Sequence, residues 1–282
     1  MAPFPIPLVD KINLIRSQDR FCRKSIFKSF RVSNLRSFFM HALAEKISLI
    51  IPCYNEAERL KLDVFLDSSE LLKFLFVNDG STDHTGDLIR AHLNERMFLR
   101  DLPKNVGKAE AVRLGMLYAL ETSPLNDSEW IGYWDADLAT PLSEINNFLT
   151  YAYSYEFPVE SIWGSRVYRL GSSIRRSYRR HVLGRMFATF TGVFLGIQSY
   201  DSQCGAKLFR KSLIRCAFSD PFMSKWIFDV ELLMRLQHTN IIEYPLRTWS
   251  DVSGSKVRIL PNMFRILADL IRIKTKYGFI EK

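Results

Sequence analysis

Two carboxylates one residue apart, Asp135 and Asp137, end the apolar run Ile131-Gly132-Tyr133-Trp134. In extended chain, residues i and i+2 point to the same side, so both carboxylates can face one cation. Hard divalent ions such as Mg²⁺ and Mn²⁺ take oxygen ligands, commonly one or two carboxylates together with substrate phosphates. A solvated turn is the competing reading, because Asp is a frequent turn residue. What separates the two is position. In open α/β sheets, ligands bind beyond the carboxyl ends of the strands.

The chain must therefore build such a sheet around residues 130–134, and its pattern predicts one. Residues 47–52 form an apolar run that reads as a first buried strand stopped by Pro52, followed by Asn55 as a helix N-cap with Glu58 in capping-box position. Residues 73–78 form a second strand. It runs into Asp79-Gly80-Ser81-Thr82-Asp83, a turn able to cap the next helix, and 97–99 is a short third strand. Asn105-Val106-Gly107-Lys108 opens a helix to about Glu121, with Gly107 and Lys108 placed to meet a phosphate. Residues 130–134 are the fourth strand, and Pro141 starts another helix. Strand–helix alternation of this kind predicts a mostly parallel sheet with right-handed crossovers.

Further strands are expected at 159–164 and 241–246, residues 201–209 read as polar and then strand-like, and Asp229 and Glu231 fall near the start of a helix. Lys207 has two readings, a diphosphate contact or a solvent-facing strand-edge lysine. The five histidines show no ligand spacing. Over 257–277, Leu260, Met263, Phe264, Leu267, Leu270 and Ile271 form one helical stripe, expected to cover the core, with a membrane-facing role as the alternative. Arg258, Arg265, Asp269, Arg272 and Lys276 form the other.

A 282-residue chain with 47% apolar residues can bury a substantial core. Four cysteines without a C-x-x-C pair indicate reduced thiols in a cytosolic setting rather than a zinc site. The net charge of +9 is regional: residues 1–40 carry +6, 161–200 carry +7 with no acid, and 252–282 carry +5. Such blocks suit a phosphorylated substrate or an anionic membrane surface. Nucleic acid is disfavoured, because no recognisable nucleic-acid motif accompanies them. No apolar run reaches the roughly 18–20 residues of a membrane-spanning helix, and no signal-peptide pattern opens the chain. The longest candidate run, residues 186–197, follows the arginine block Arg166, Arg169, Arg175, Arg176, Arg179, Arg180 and Arg185, so that one helix could dock at headgroup depth.

Taken in order, several stretches resemble family-2 glycosyltransferases: residues 49–56 (LIIPCYNE), 77–83 (VNDGSTD), 105–108 (NVGK) and 135–137 (DAD). Residues 201–209 (DSQCGAKLF) and 228–232 (FDVEL) are similar to its polyprenyl-phosphate branch, the dolichyl-phosphate glucosyltransferases and mannose synthases. The resemblance covers roughly residues 46–256. It implies an α/β GT-A nucleotide-sugar-binding domain over 46–256; the residues outside it, 1–45 and 257–282, read from their own pattern as basic amphipathic extensions. By the same resemblance Pro52, Tyr54, Glu56 and Asp79 hold the nucleotide, with Lys108 and Asp135 at the diphosphate. Asp135 and Asp137 hold Mg²⁺ or Mn²⁺, and Arg166, Arg175, Arg176 and Arg179 bind the acceptor phosphate. Mannose synthases often carry Gln two residues after the D-x-D. Ala139 stands there instead, which favours the glucosyltransferase side and also fails the Thr of a D-x-D-x-T phosphatase loop.

The expected reaction is an inverting transfer of a hexose, with UDP-glucose as donor and a polyprenyl phosphate as acceptor. It would take place at the cytoplasmic face of a membrane, held there by the basic segments or by a membrane-protein partner. A phosphate acceptor is already an anionic nucleophile, whereas a hydroxyl acceptor on a glycan or protein would need a base. Asp229 is the candidate for that base, its alternative role being a helix-dipole partner. A membrane-surface scaffold without turnover is the non-enzymatic reading.

Overall fold

The structure is a computed structural model. It describes residues 46–252 and 263–280. The expected extension at 1–45, with Leu260 and Arg258 of the last helix, lies outside the described residues.

Long buried apolar runs form a seven-stranded sheet in the order β3-β2-β1-β4-β7-β5-β8. Its strands are β1 (Ile47–Cys53), β2 (Lys73–Asn78), β3 (Met97–Asp101), β4 (Trp130–Trp134), β5 (Ser161–Ser165), β7 (Ala206–Arg210) and β8 (Ile241–Pro245). A two-stranded parallel ribbon joins β6 (Ser173–Arg175) to β9 (Thr248–Ser250). All pairings in the large sheet are parallel except those of β7, which runs antiparallel between β4 and β5. The carboxyl ends of β1, β2, β4 and β5 therefore share one edge with the beginning of β7. Asp79, Asp135, Asp137, Arg166 and Lys207 all fall on or just beyond that edge.

The helices are α1 (Leu62–Ser68), α2 (Thr85–Arg90), α3 (Lys108–Glu121), α4 (Glu144–Ala152), α5 (Tyr178–Leu195), α6 (Ile214–Phe218), α7 (Phe228–Arg235) and α8 (Met263–Tyr277). One sheet face carries Tyr133, Trp163 and Phe209 against α3, α6, α7 and α8. Phe65 meets Phe74 and Phe76 edge-on, both at 5.2 Å between ring centroids. Trp134 packs on Phe148 at 5.4 Å, and Phe148 on Tyr244 at 5.0 Å. Such aromatic contacts add to the large apolar area each ring removes from water.

Three local expectations change. No helix starts at Asn55, whose φ of +53° is left-handed; α1 begins at Leu62. Asn55 instead ties two loops together, accepting from the Thr82 amide at 2.9 Å while its own amide donates to Ser81 Oγ at 3.0 Å. Pro52 does not stop β1, which continues to Cys53 with Pro52 opposite Val77 of β2. Pro141 lies in a turn, and α4 begins at Glu144. At the start of α2 the cap position is His84, and Asp83, one residue before it, supports the first turn by accepting the Thr85 amide on Oδ1 at 3.0 Å.

The last helix is turned relative to the expected stripe. Leu270, Ile273 and Asp269 are buried, whereas Phe264, Leu267 and Ile271 are exposed. A helix with apolar residues on two faces leaves periodicity unable to say which one packs.

Close approach of β7 to β4 depends on Gly132. A Cβ there would lie 2.2 Å from the Lys207 carbonyl oxygen. Gly132→Ala is expected to cost about 3 kcal/mol through forced backbone displacement, read as a lower urea midpoint with unchanged slope.

Candidate active site

The loops after β1 and β2 zip together before they reach the site. Besides the Asn55 contacts, the Glu56 amide donates to Thr85 Oγ1 at 2.8 Å and the Ala57 amide to Asp83 Oδ2 at 3.2 Å. This sets Pro52, the partly exposed Tyr54, and Glu56 beside one another; Glu56 Oε1 accepts from Arg59 at 2.5 Å. Asp79 is buried, and its two carboxylate oxygens accept from the Val106 amide at 2.7 Å and the Gly107 amide at 2.9 Å. Burial raises its pKa, and the two amides partly offset this. Asp79 thereby shapes the turn that launches α3 and presents Lys108.

Lys108 Nζ donates to Asp135 Oδ1 at 2.5 Å across the strand ends. Partial loss of hydration opposes its charge, the side chain remaining 43% exposed, but Asp135, Asp229 and Asp137 together raise its pKa. Asp137 accepts the Ala139 amide at 3.0 Å across a turn whose Leu138 has a φ of +52°. Burial and then the charge of Asp135 raise the Asp137 pKa, while Lys108 and Arg59 pull the other way. Burial is the larger cause, so the strand end presents two adjacent carboxylates of which Asp137 is partly dehydrated. Asp135 and Asp137 fit a Mg²⁺ or Mn²⁺ ion on this account. Among the described residues no cluster of three His, Cys, Asp or Glu forms, which leaves further coordination positions to substrate oxygens and water, as is usual for Mg²⁺. Asp135 also needs Gly205: its amide donates to the Gly205 carbonyl at 3.0 Å, and a Cβ on Gly205 would lie 1.9 Å from Asp135 Oδ2.

Beneath the carboxylates, Lys207 corrects both of its sequence readings. It has no solvent exposure. Its cross-strand neighbours on either side are Tyr133 and Trp163, and its ammonium lies 5.2 Å and 4.4 Å from their ring centroids. It donates to Asp229 Oδ1 at 2.7 Å and to the Cys204 carbonyl at 2.5 Å. The Tyr133 hydroxyl donates to the same Oδ1 of Asp229. Asp229, expected near a helix start, does lie in the first turn of α7, and one of its oxygens is committed to two donors.

At the far side of the edge, Arg166 makes a fork with Asp201: Nε to Oδ2 at 2.5 Å, Nη2 to Oδ1 at 2.7 Å. Burial pushes the Asp201 carboxyl up, but Arg166 outweighs it and holds the pKa at about 2. Glu243 in turn accepts the Asp201 amide at 3.1 Å. Arg176 is half-buried, makes no ion pair among the described residues, and has a pKa lowered by burial and by the like charge of Arg166. Arg175 and Arg179 are exposed. Arg180 instead pairs with Asp251, and Arg185 donates to the Tyr200 carbonyl at 2.7 Å. The order across the edge is therefore carboxylate pair, paired arginine, half-buried arginine. Sequence reasoning quoted Asp201 and Gly205 within a motif but gave them no role, and it passed over Arg59. Their signals are three-dimensional: a fork partner 35 positions away, and a missing side chain where a carboxylate must fit.

The sequence model of Glycosyl transferase family 2 matches residues 48–218. Among curated proteins, the dolichyl-phosphate beta-glucosyltransferase of Dictyostelium discoideum is 30% identical, with 82% of this chain and 74% of that protein covered. The enzyme of that name from Saccharomyces cerevisiae is 30% identical over 82% and 75%, and the human one 29% over 83% and 76%. Among solved structures, glucosyl-3-phosphoglycerate synthase from Mycobacterium tuberculosis, in complex with Mn²⁺ and UDP-glucose, superposes with a TM-score of 0.60. It is 18% identical, with 87% of this chain and 84% of that one covered.

Two outcomes follow from the site's ion pairs. Lys207→Met leaves Asp229 buried without its cation and is expected to cost about 3–5 kcal/mol, read by chemical denaturation. The Arg166–Asp201 pair has a depressed carboxyl, so its stabilisation is complete above the ordinary Asp value of 3.8 and is lost as pH falls toward about 2. Asp201→Asn is expected to flatten the fall in thermal midpoint across that window.

Proposed function

This chain belongs to glycosyl transferase family 2 and has its GT-A fold, and from that premise we propose that it moves glucose from UDP-glucose to a polyprenyl phosphate of the dolichyl type. The observation that carries the acceptor is the juxtaposition of the Asp135–Asp137 pair with the acid-poor arginine cluster begun by Arg166 and Arg176. A site for a cation and diphosphate stands next to a site for a second anion. The names of the curated relatives support the lipid phosphate, and the UDP-glucose bound to the structural neighbour supports the donor.

In this reading Pro52, Tyr54, Glu56 and Asp79 hold the nucleoside. Asp135 and Asp137 hold Mg²⁺ or Mn²⁺, which when bound neutralises charge on the leaving diphosphate. Lys108 adds a second positive charge at that position. Arg176, with Arg175 and Arg179, orients the acceptor phosphate, for which guanidinium geometry is well matched. Arg166, its fork turned to Asp201, backs the cluster and sets its potential. One phosphate oxygen then attacks the anomeric carbon as the bond to UDP breaks, inverting the configuration. The acceptor oxygen carries no proton to be removed, so no base is required. Asp229, occupied by Lys207 and Tyr133, suits a supporting role better than proton abstraction.

The acceptor's lipid tail requires a membrane, and we place the enzyme peripherally on its cytoplasmic face. Among the described residues no helix is long and apolar enough to cross a bilayer. Exposed Tyr178, Met186, Phe190 and Val193 on α5 and Phe264, Leu267 and Ile271 on α8 lie among exposed Arg179, Arg265 and Arg272. Apolar side chains mixed with basic ones suit the headgroup region.

Transfer of radiolabelled glucose from UDP-glucose into a short-chain polyprenyl phosphate, with GDP-mannose in parallel, tests the reading. Metal-dependent label in the lipid phase from UDP-glucose is expected, with Asp137→Asn reducing kcat by about 10³-fold. Arg176→Ala is expected to raise the acceptor KM and leave the donor KM unchanged. Donor hydrolysis without lipid label would move the acceptor to a hydroxyl. Neither reaction from a folded protein would leave a scaffold.

A further inference from the structure

Helix α8 buries a carboxylate. Asp269 is 5% exposed on the face that also buries Leu270 and Ile273. Removing a carboxylate from water is costly unless its bonds are good, and a leucine would pack this face without that cost. Asp269 Oδ2 accepts the Ser224 hydroxyl at 2.7 Å, and Arg272 reaches Oδ1 only at 3.7 Å. What distinguishes the bond is where it leads.

Ser224 Oγ accepts two backbone amides, Trp226 at 3.2 Å and Ile227 at 3.1 Å, and so closes the turn that launches α7. Asp229 lies in the first turn of α7. Lys225, spanned by the Ser224–Trp226 contact, places its Cδ 3.7 Å from where a Gly107 Cβ would be, and its charge acts on Asp79. Helix α8 also grips the segment at a second point. The Tyr277 hydroxyl donates to Glu231 Oε1 at 3.1 Å, and Glu231 Oε2 accepts the Met223 amide at 2.7 Å. The C-terminal helix is thus a splint along residues 223–231, fastened at both ends.

We propose that Asp269 and Ser224 are a positioning pair: Asp269 aligns the Ser224 hydroxyl, and the turn it closes holds Lys225 and Asp229 at the reaction edge. Asp269 touches no substrate; it acts through Ser224. The proposal rests on the transferase reading above.

The full chain is assayed with UDP-glucose and a short-chain polyprenyl phosphate as wild type, Asp269→Leu, Ser224→Ala, the double variant and Asp269→Asn, with rates normalised to folded protein. Residues acting through one contact show non-additive effects, so each single variant is expected to lower kcat about tenfold and the double variant no further. Asp269→Asn keeps an acceptor for the hydroxyl and is expected to retain kcat within about twofold. Single variants at wild-type kcat, losses that multiply in the double variant, or Asp269→Asn as impaired as Asp269→Leu would each overturn the pair. A purely structural role would lower the thermal midpoint and leave kcat per folded molecule unchanged. UDP affinity is read by calorimetry on the same proteins. If wild type transfers no glucose, the reaction reading fails, and the pair is still judged by whether the single variants weaken UDP binding equally and non-additively.

Discussion

A lysine with no solvent exposure must have a carboxylate, and the carboxylate must be held where the lysine ends. Lys207 at the start of β7 and Asp229 in the first turn of α7 meet that demand, and much of the site is arranged around them. The pair obliges α7 to begin where it does. It draws the Tyr133 hydroxyl inward, and it requires β7 to lie between two strands whose aromatic rings flank the ammonium. Above the pair, Lys108 reaches Asp135, so the carboxylates at the end of β4 have a counter-charge supplied by the chain itself. Charges held in place by the fold in this way are preorganised, the condition under which electrostatic stabilisation is effective.

The edge of the sheet separates two kinds of work. Residues after β1, β2 and β4 form a half built from short loops that bind one another, so that Asp79 serves the turn at Gly107. Residues after β5 and around β7 form the other half, where one arginine is spent on Asp201 and another is left without a counter-ion among the described residues. An Arg–Asp fork beside a lone guanidinium keeps net positive charge while fixing its geometry, because the neutralised arginine can no longer swing into its neighbour's place.

How far the chain's pattern reveals this depends on range. The carboxylate pair was legible because an apolar strand stops abruptly at it, and the parallel sheet because strands and helices alternate. Lys207 was not: buried on both sides, β7 shows no alternation to mark a face, and its partner lies in a different element. Asn55 has the composition of a helix cap, but its left-handed backbone and the Thr82 amide give it a loop role instead. In the last helix both faces carry apolar residues, so the stripe that packs is decided by Ser224 and Glu231, which no periodicity records. Local signals fixed elements; contacts between distant elements fixed the chemistry.

The antiparallel strand has a consequence in time. β1 pairs with β2 and β2 with β3 across short separations, whereas β4 pairs Trp130 both with Ile47 of β1 and with Arg210 of β7, and β5 pairs Ser161 with Ile241, all across long ones. Long-range pairings close larger loops and form later, and a chain emerging from synthesis presents its first half first. By order of synthesis, the segment ending in Asp135 and Asp137 is made before Gly205, Lys207 and Asp229. A nascent chain can hold the paired carboxylates without the charge beneath them, and catalytic competence is acquired at the last stage of assembly.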